Sequence, residues 1–182
     1  MTLPPIVDRL VQRWFGQLII RNDLRGELVE EMIATALEPE WKGCGSDWGP
    51  CDLIRPDDGL RIQVKQSAAL QSWSKPDGPM PRPCFSIASK TGRYDGADWI
   101  PGAGRNAEVF IFAWHDRTDE GADHRDAEQW QFFVVPERDL PDQKSISLST
   151  LRRLAEPVSF DALADRVNSI AASLLPSWSP RA

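Results

Sequence analysis

The run Asp52-Leu53-Ile54-Arg55-Pro56-Asp57-Asp58-Gly59-Leu60-Arg61-Ile62-Gln63-Val64-Lys65 decides how this chain folds. Its second half alternates. Leu60, Ile62 and Val64 fall on one face of an extended chain, and Arg61, Gln63 and Lys65 on the other. Pro56-Asp57-Asp58-Gly59 is turn chemistry: proline presets φ, aspartate bonds its own backbone, and glycine tolerates positive φ. The run therefore predicts a β-hairpin. A loop centred between Asp57 and Asp58 pairs residues whose numbers sum to 115, so that Arg55 meets Leu60 and Asp52 meets Gln63. Opposed side chains share a face with Cβ atoms roughly 4.5–5.5 Å apart, and Lys65 is then the diagonal neighbour. A carboxylate, an amide oxygen and an ammonium are expected together, backed by an apolar face. A bulge at Gly59 would shift the register and break that convergence.

Upstream, Asn22 or Asp23 is placed to cap a helix predicted to run to about Leu37 and to stop before Pro39. Leu28, Val29, Met32, Ile33, Ala36 and Leu37 form its buried stripe. At helical spacing Glu30 lies roughly 120° from the stripe centre, Glu31 roughly 140° and Glu27 roughly 180°. Glu30 thus sits nearest the core edge, where a carboxylate can reach a site on the sheet. The plainer alternative is a solvated acidic face.

Asp52, ten intervening residues, then Gln63-Val64-Lys65 resembles the D…(D/E)xK signature of the PD-(D/E)XK, or restriction endonuclease-like, nucleases. The glutamine is similar to the variant in Mrr-type restriction nucleases. Gly26 to Glu30 matches the Gly-x-x-x-Glu that the family often shows on its first helix. The resemblance covers roughly residues 22 to 135. It implies an α/β fold with a mixed β-sheet of four or five strands flanked by helices. It also implies a metal-dependent endonuclease acting on DNA, in restriction or defence. Asp52, Gln63 and Glu30 would hold Mg²⁺ or Mn²⁺, the Val64 carbonyl would complete the set, and Lys65 would orient the attacking water. Gln63 in place of an acid removes one negative charge. That leaves two readings open: a working glutamine-type nuclease, or a catalytically degenerate nucleic-acid-binding module of the same fold. Gln63 and Lys65 as the wet face of an edge strand, and Asp52 as a cap beside the turn, are the structural alternatives.

The chain has 182 residues, of which 41% are hydrophobic and 26% charged, as expected of one globular domain with a real core. The single domain is expected over 1–182, with its nuclease-like core over about 22–135 and C-terminal helices over about 147–175. No apolar run reaches the ~18 residues of a membrane span. Met-Thr-Leu-Pro-Pro lacks the basic-then-apolar pattern of a signal peptide, so the expected location is cytoplasmic. Cys44, Cys51 and Cys84 are odd in number and contain no CxxC pair, so ordinary thiols are expected rather than disulfides or zinc ligands.

A net charge of −6 argues mildly against a nucleic-acid partner, but its distribution does not. Leu60 to Arg105 holds seven Lys and Arg against three Asp, a net +4. Asn106 to Asp142 holds ten acids against three Arg, a net −7. Within the basic stretch Arg61, Lys75, Arg82 and Arg93 are candidate phosphate contacts. Surface scatter is the alternative, and the acidic stretch leaves a pure interaction protein as a third reading.

Elsewhere, Ile6 to Phe15 has helical spacing, and Leu18-Ile19-Ile20 reads as an apolar link. Trp41 to Pro50 is read as irregular. Ser67 to Trp73 reads as one or two helical turns, with Gln66 and Gln71 as surface amides or site contacts. Ser74 to Pro83 and Ser89 to Gly104 read as loops, the second carrying Arg93, Tyr94 and Trp99. Cys84 to Ala88 reads as a short strand. Val109 to Trp114 and Trp130 to Val135 read as buried central strands. His115 and His124, between them, read as solvent-exposed. Ser147 to Ala155 and Ser159 to Leu175 read as helices, with a frayed tail from Pro176. Cutting both strands of a duplex would suit a homodimer, because two-fold symmetry gives each strand a site.

Overall fold

Helices α1 (Pro5–Phe15) and α2 (Asn22–Leu37) open the chain. Strands β1 (Lys42–Gly43), β2 (Leu53–Ile54), β3 (Arg61–Ala68), β4 (Cys84–Ser86), β5 (Lys90–Asp95), β6 (Asp98–Gly104), β7 (Val109–His115), β8 (Trp130–Pro136) and β9 (Ser145–Ser147) follow, and helices α3 (Leu148–Leu154) and α4 (Leu163–Leu174) close it. This computed structural model describes residues 5–44, 49–75, 78–95 and 97–175. The tail expected to fray lies outside the described residues.

The main sheet runs β1-β2-β3-β7-β8. β3 and β7 are parallel; the other neighbours are antiparallel. The architecture is therefore a mixed five-stranded α/β sheet flanked by helices, as expected. The hairpin forms in the expected register. Leu53 faces Ile62, Ile54 faces Arg61, and the Arg55 N–H donates to the Leu60 carbonyl at 2.8 Å. Gly59, at φ +74°, forms a glycine bulge that keeps this register: its N–H donates to the Arg55 carbonyl at 2.8 Å, and the Asp58 carboxylate accepts the Leu60 N–H at 3.1 Å.

All seven residues of β7 are buried, which explains their unbroken apolar run. Alternate residues feed two cores. Val109, Ile111 and Ala113 join Ile62, Val64, Phe132 and Val134 beneath α2 and α4. Phe110, Phe112 and Trp114 join Phe133, Phe85, Ile146 and Leu151 under the β4–β9 pair and α3. α4 thus belongs to the main core. β8 lies at the sheet edge rather than centrally, with Phe132 bridged to Val158.

Several local expectations are corrected. Ser89 to Gly104 is not a loop: β5 and β6 pair as a hairpin of their own. β3 continues through Ser67 and Ala68, because its parallel register with β7 extends to Ala68 opposite His115. α2 begins at Asn22 with no side-chain cap. Lys42–Gly43 pairs with β2 inside the stretch read as irregular, of which residues 45–48 lie outside the described residues. Ser147 caps α3 by accepting the Thr150 N–H at 3.2 Å, but α4 starts at Leu163, not near Ser159. No helix among the described residues is long and apolar enough to cross a membrane.

The histidines are the largest correction. His115 and His124 are fully buried and pack edge-to-face at 4.8 Å, both against Trp130. The Ile20 N–H donates to His124 Nδ1 at 3.0 Å, so the proton of the neutral ring sits on Nε2. Burial is the first cause that holds both imidazoles neutral, His124 down to about 3.

Candidate functional site

β2 begins only at Leu53, opposite Ile62, whereas β3 runs on for six residues past Ile62. Beyond Ile62, no strand among the described residues pairs with β3 on its β2 side. The Asp52 N–H donates to the Ile62 carbonyl at 3.0 Å, which fixes that side of the strand. Backbone groups two residues apart point the same way, so the N–H and C=O of Val64 face this open edge. The Asp52 side chain fills the gap: its Oδ2 accepts the Val64 N–H at 2.5 Å and also accepts from Gln63 Nε2. A carboxylate therefore takes the hydrogen bond that a longer β2 would have made. Since Gln63 turns its amide nitrogen to Asp52, its Oε1 is the atom left to face away.

Lys65, half-buried, stands two residues along from Gln63 on the same face of β3. Glu30 approaches the edge from α2, half-buried where Glu27 and Glu31 are exposed. The charges feel one another. Burial pushes the Asp52 carboxyl up, and the Lys65 ammonium pulls it partly back. Burial pulls the Lys65 ammonium down, opposed by Asp52 and Glu30. Glu30 is pushed up to about 7, first by burial and then by the negative charges of Asp52 and Glu27. Lys90, at the start of β5, acts on both Asp52 and Lys65.

Two clefts meet at Lys65. One of about 480 Å³ lies towards α2 and includes Arg25, Glu30, Gln66 and Gln71. The other, about 180 Å³, lies towards β4 and includes Gln63, Lys90 and Asn106. The structure thus brings Asp52, Gln63, Lys65 and Glu30 to one sheet edge.

The basic residues divide. Arg61 is not a surface contact: it is buried, and Glu108 holds its guanidinium at 2.8 Å and its backbone N–H at 3.0 Å. That pair withdraws Arg61 from phosphate. Lys75 and Arg82 are exposed on the segment after β3, and Arg93 is half-buried on β5. β5–β6 carries Tyr94 and Trp99 in edge-to-face contact at 5.1 Å, both exposed. Gly92 makes this packing possible, since a Cβ there would lie 2.5 Å from Trp99 Cζ2.

Sequence reasoning missed Lys90, Asn106 and Arg25. Lys90 and Asn106 reach the site only through the fold of β5 and the approach to β7. Arg25 carried a signal: it sits four residues before Val29, on the buried stripe.

The donors suit a hard divalent cation. Two carboxyls are raised above their ordinary range, both first by burial and Glu30 also by neighbouring negative charge, with the Gln63 amide oxygen and the Val64 carbonyl beside them. No group of three or more His, Cys, Asp and Glu residues positioned for a metal occurs among the described residues, so a cation at this edge would draw on the neutral oxygens as well.

No protein-family model matches the chain, and no curated protein does. A bacterial homing endonuclease, I-Ssp6803I, is a similar solved structure: 20% identity over 83% of this chain and 96% of its own, with a TM-score of 0.41.

Proposed function

We propose that the chain is a metal-dependent endonuclease that hydrolyses DNA phosphodiester bonds at the open edge of β3. One observation carries the reading. Asp52 is fixed against Val64 and Gln63 beside Lys65, with Glu30 brought to the same edge from a separate helix. Packing alone does not account for a lysine and two carboxylates gathered half-buried at the end of a strand.

Asp52, Glu30, Gln63 Oε1 and the Val64 carbonyl would hold Mg²⁺ or Mn²⁺. The ion would supply Lewis-acid polarisation of the phosphoryl oxygens and a more acidic bound water. Lys65 orients the attacking water and offsets the negative charge that grows on the phosphate. Glu30 would reach the ion, or a water bound to it, from α2. The β5–β6 hairpin is a two-stranded ribbon, a shape that a DNA major groove admits, with Arg93, Tyr94 and Trp99 on it. Lys75 and Arg82 would meet phosphates outside the site. A two-fold homodimer would let each strand of a duplex meet one site.

The test is plasmid cleavage with Mg²⁺ or Mn²⁺ by the full chain, Lys65→Ala and Asp52→Ala. Wild-type should nick or linearise the plasmid, and each variant should lose about 10²–10³-fold or more. Equal activity in all three removes the assignment. Salt-sensitive binding without cleavage under either ion supports the second reading, a silent DNA-binding module, which the neutral Gln63 favours.

A further inference from the structure

Arg25 is the least expected residue in the molecule. It is 1% exposed and sits on the apolar stripe of α2 with Val29, Ile33 and Leu37. Its Nε donates to Gln66 Oε1 at 2.7 Å, and its Nη2 to Asn22 Oδ1 at 2.8 Å and Gln71 Oε1 at 3.0 Å. All three acceptors are neutral amides. Its Nη1 has no partner among the described residues. Burial lowers the guanidinium to about 10, and its charge helps to hold His115 and His124 neutral. A buried arginine normally has a carboxylate; this one has an oriented fork and no counter-ion among the described residues.

Arg25 also lines the cleft that contains Lys65 and Glu30. A guanidinium that lines a cleft, is fixed by amide oxygens and keeps one buried nitrogen unpartnered is suited to an oxyanion entering that cleft. We infer that Arg25, with Gln66 and Gln71 as its positioning residues, forms a phosphate subsite that takes a neighbouring, non-scissile phosphate of the strand whose reacting phosphate lies at Asp52 and Lys65. The identity of the strand rests on the nuclease reading; the anion site does not.

Gln66→Glu tests this without emptying the core. It keeps the oxygen that Arg25 Nε uses, and its second oxygen takes the place of the amide nitrogen that donates to Asn22 at 3.2 and 3.3 Å. It gives Arg25 the missing carboxylate. Binding of a labelled DNA duplex is measured in EDTA across a salt series, and binding of inorganic phosphate by ³¹P NMR. Gln66→Glu should weaken duplex binding at least tenfold, lower the slope of log K against log salt by about 0.9 and abolish phosphate binding. Arg25→Gln added to Gln66→Glu should weaken binding no further. Because no cleavage is required, a chain that never cuts DNA yet binds phosphate through Arg25 still supports the subsite. Wild-type-like affinity and slope in Gln66→Glu, or phosphate binding unchanged by it, overturns the inference even if cleavage is robust.

Discussion

Replacing Glu30 by Gln should make the metal-free protein more stable at pH 8 and leave it unchanged at pH 4. In the folded chain the carboxyl is raised from an ordinary 4.5 to about 7. Between those values the unfolded chain has released the proton and the folded chain still holds it. Stability therefore falls as pH rises through the window, and the full cost is present above it. At about 1.36 kcal/mol per pH unit the displacement corresponds to roughly 3.4 kcal/mol. Glu30 is only half-buried, and solvent screening reduces this to about 1.5–2 kcal/mol. Glutamine does not ionise, so the variant should recover that amount. In a chain of this size the gain corresponds to a rise in melting temperature of about 3–8 °C. Thermal unfolding followed by circular dichroism, at both pH values and with EDTA present, measures it. A variant less stable than wild-type at pH 8, or offset equally at both pH values, would refute the argument. A carboxyl ¹³C titration of wild-type gives an independent midpoint, expected near 7.

The same charges make Lys65→Met informative: with the ammonium gone, Asp52 and Glu30 lose their shared cation, and the Glu30 midpoint should move above 7 in the ¹³C titration. A downward move would contradict the coupling. Glu108→Ala strands the buried Arg61 guanidinium and should cost about 3–5 kcal/mol, read from urea unfolding; a loss under 1 kcal/mol, on the order of a surface pair, would mean the pair is solvated. Gly92→Ala forces a methyl against Trp99 and the Ile100 carbonyl, at a local cost of about 1–3 kcal/mol. Amide exchange should quicken across β5–β6 while the main sheet is unaffected, and unchanged exchange there would show that the ring gives way freely.

What was legible in the sequence was local. Alternation and Pro-Asp-Asp-Gly fixed the β2–β3 register, because a turn sets the pairing of the strands it joins. The apolar runs of β7 and β8 announced burial on two faces. What was hidden depended on distant partners. His124 is surrounded in sequence by charges, and its partners, the Ile20 N–H 104 residues away and the His115 and Trp130 rings, come together only in the fold. Gly92, Pro101, Gly102 and Gly104 argued against strands in a segment that pairs with itself at an edge. Arg25 shared the spacing of the apolar stripe, but its type argued for the surface. Glu30 was singled out by angle alone, and its electrostatic neighbours came only with the fold.

The brevity of β2 has a consequence for anyone who edits this molecule. Asp52 closes a gap in the backbone ladder as well as presenting an oxygen, so exchanging it alters the architecture and the chemistry together. The Lys65 side chain makes no hydrogen bond to backbone among the described residues, and its replacement isolates the chemistry. An extension of β2 that supplied the Val64 N–H with a main-chain partner would separate the two duties of Asp52. Such a lengthened hairpin should keep its fold while its carboxylate is freed to be exchanged at will.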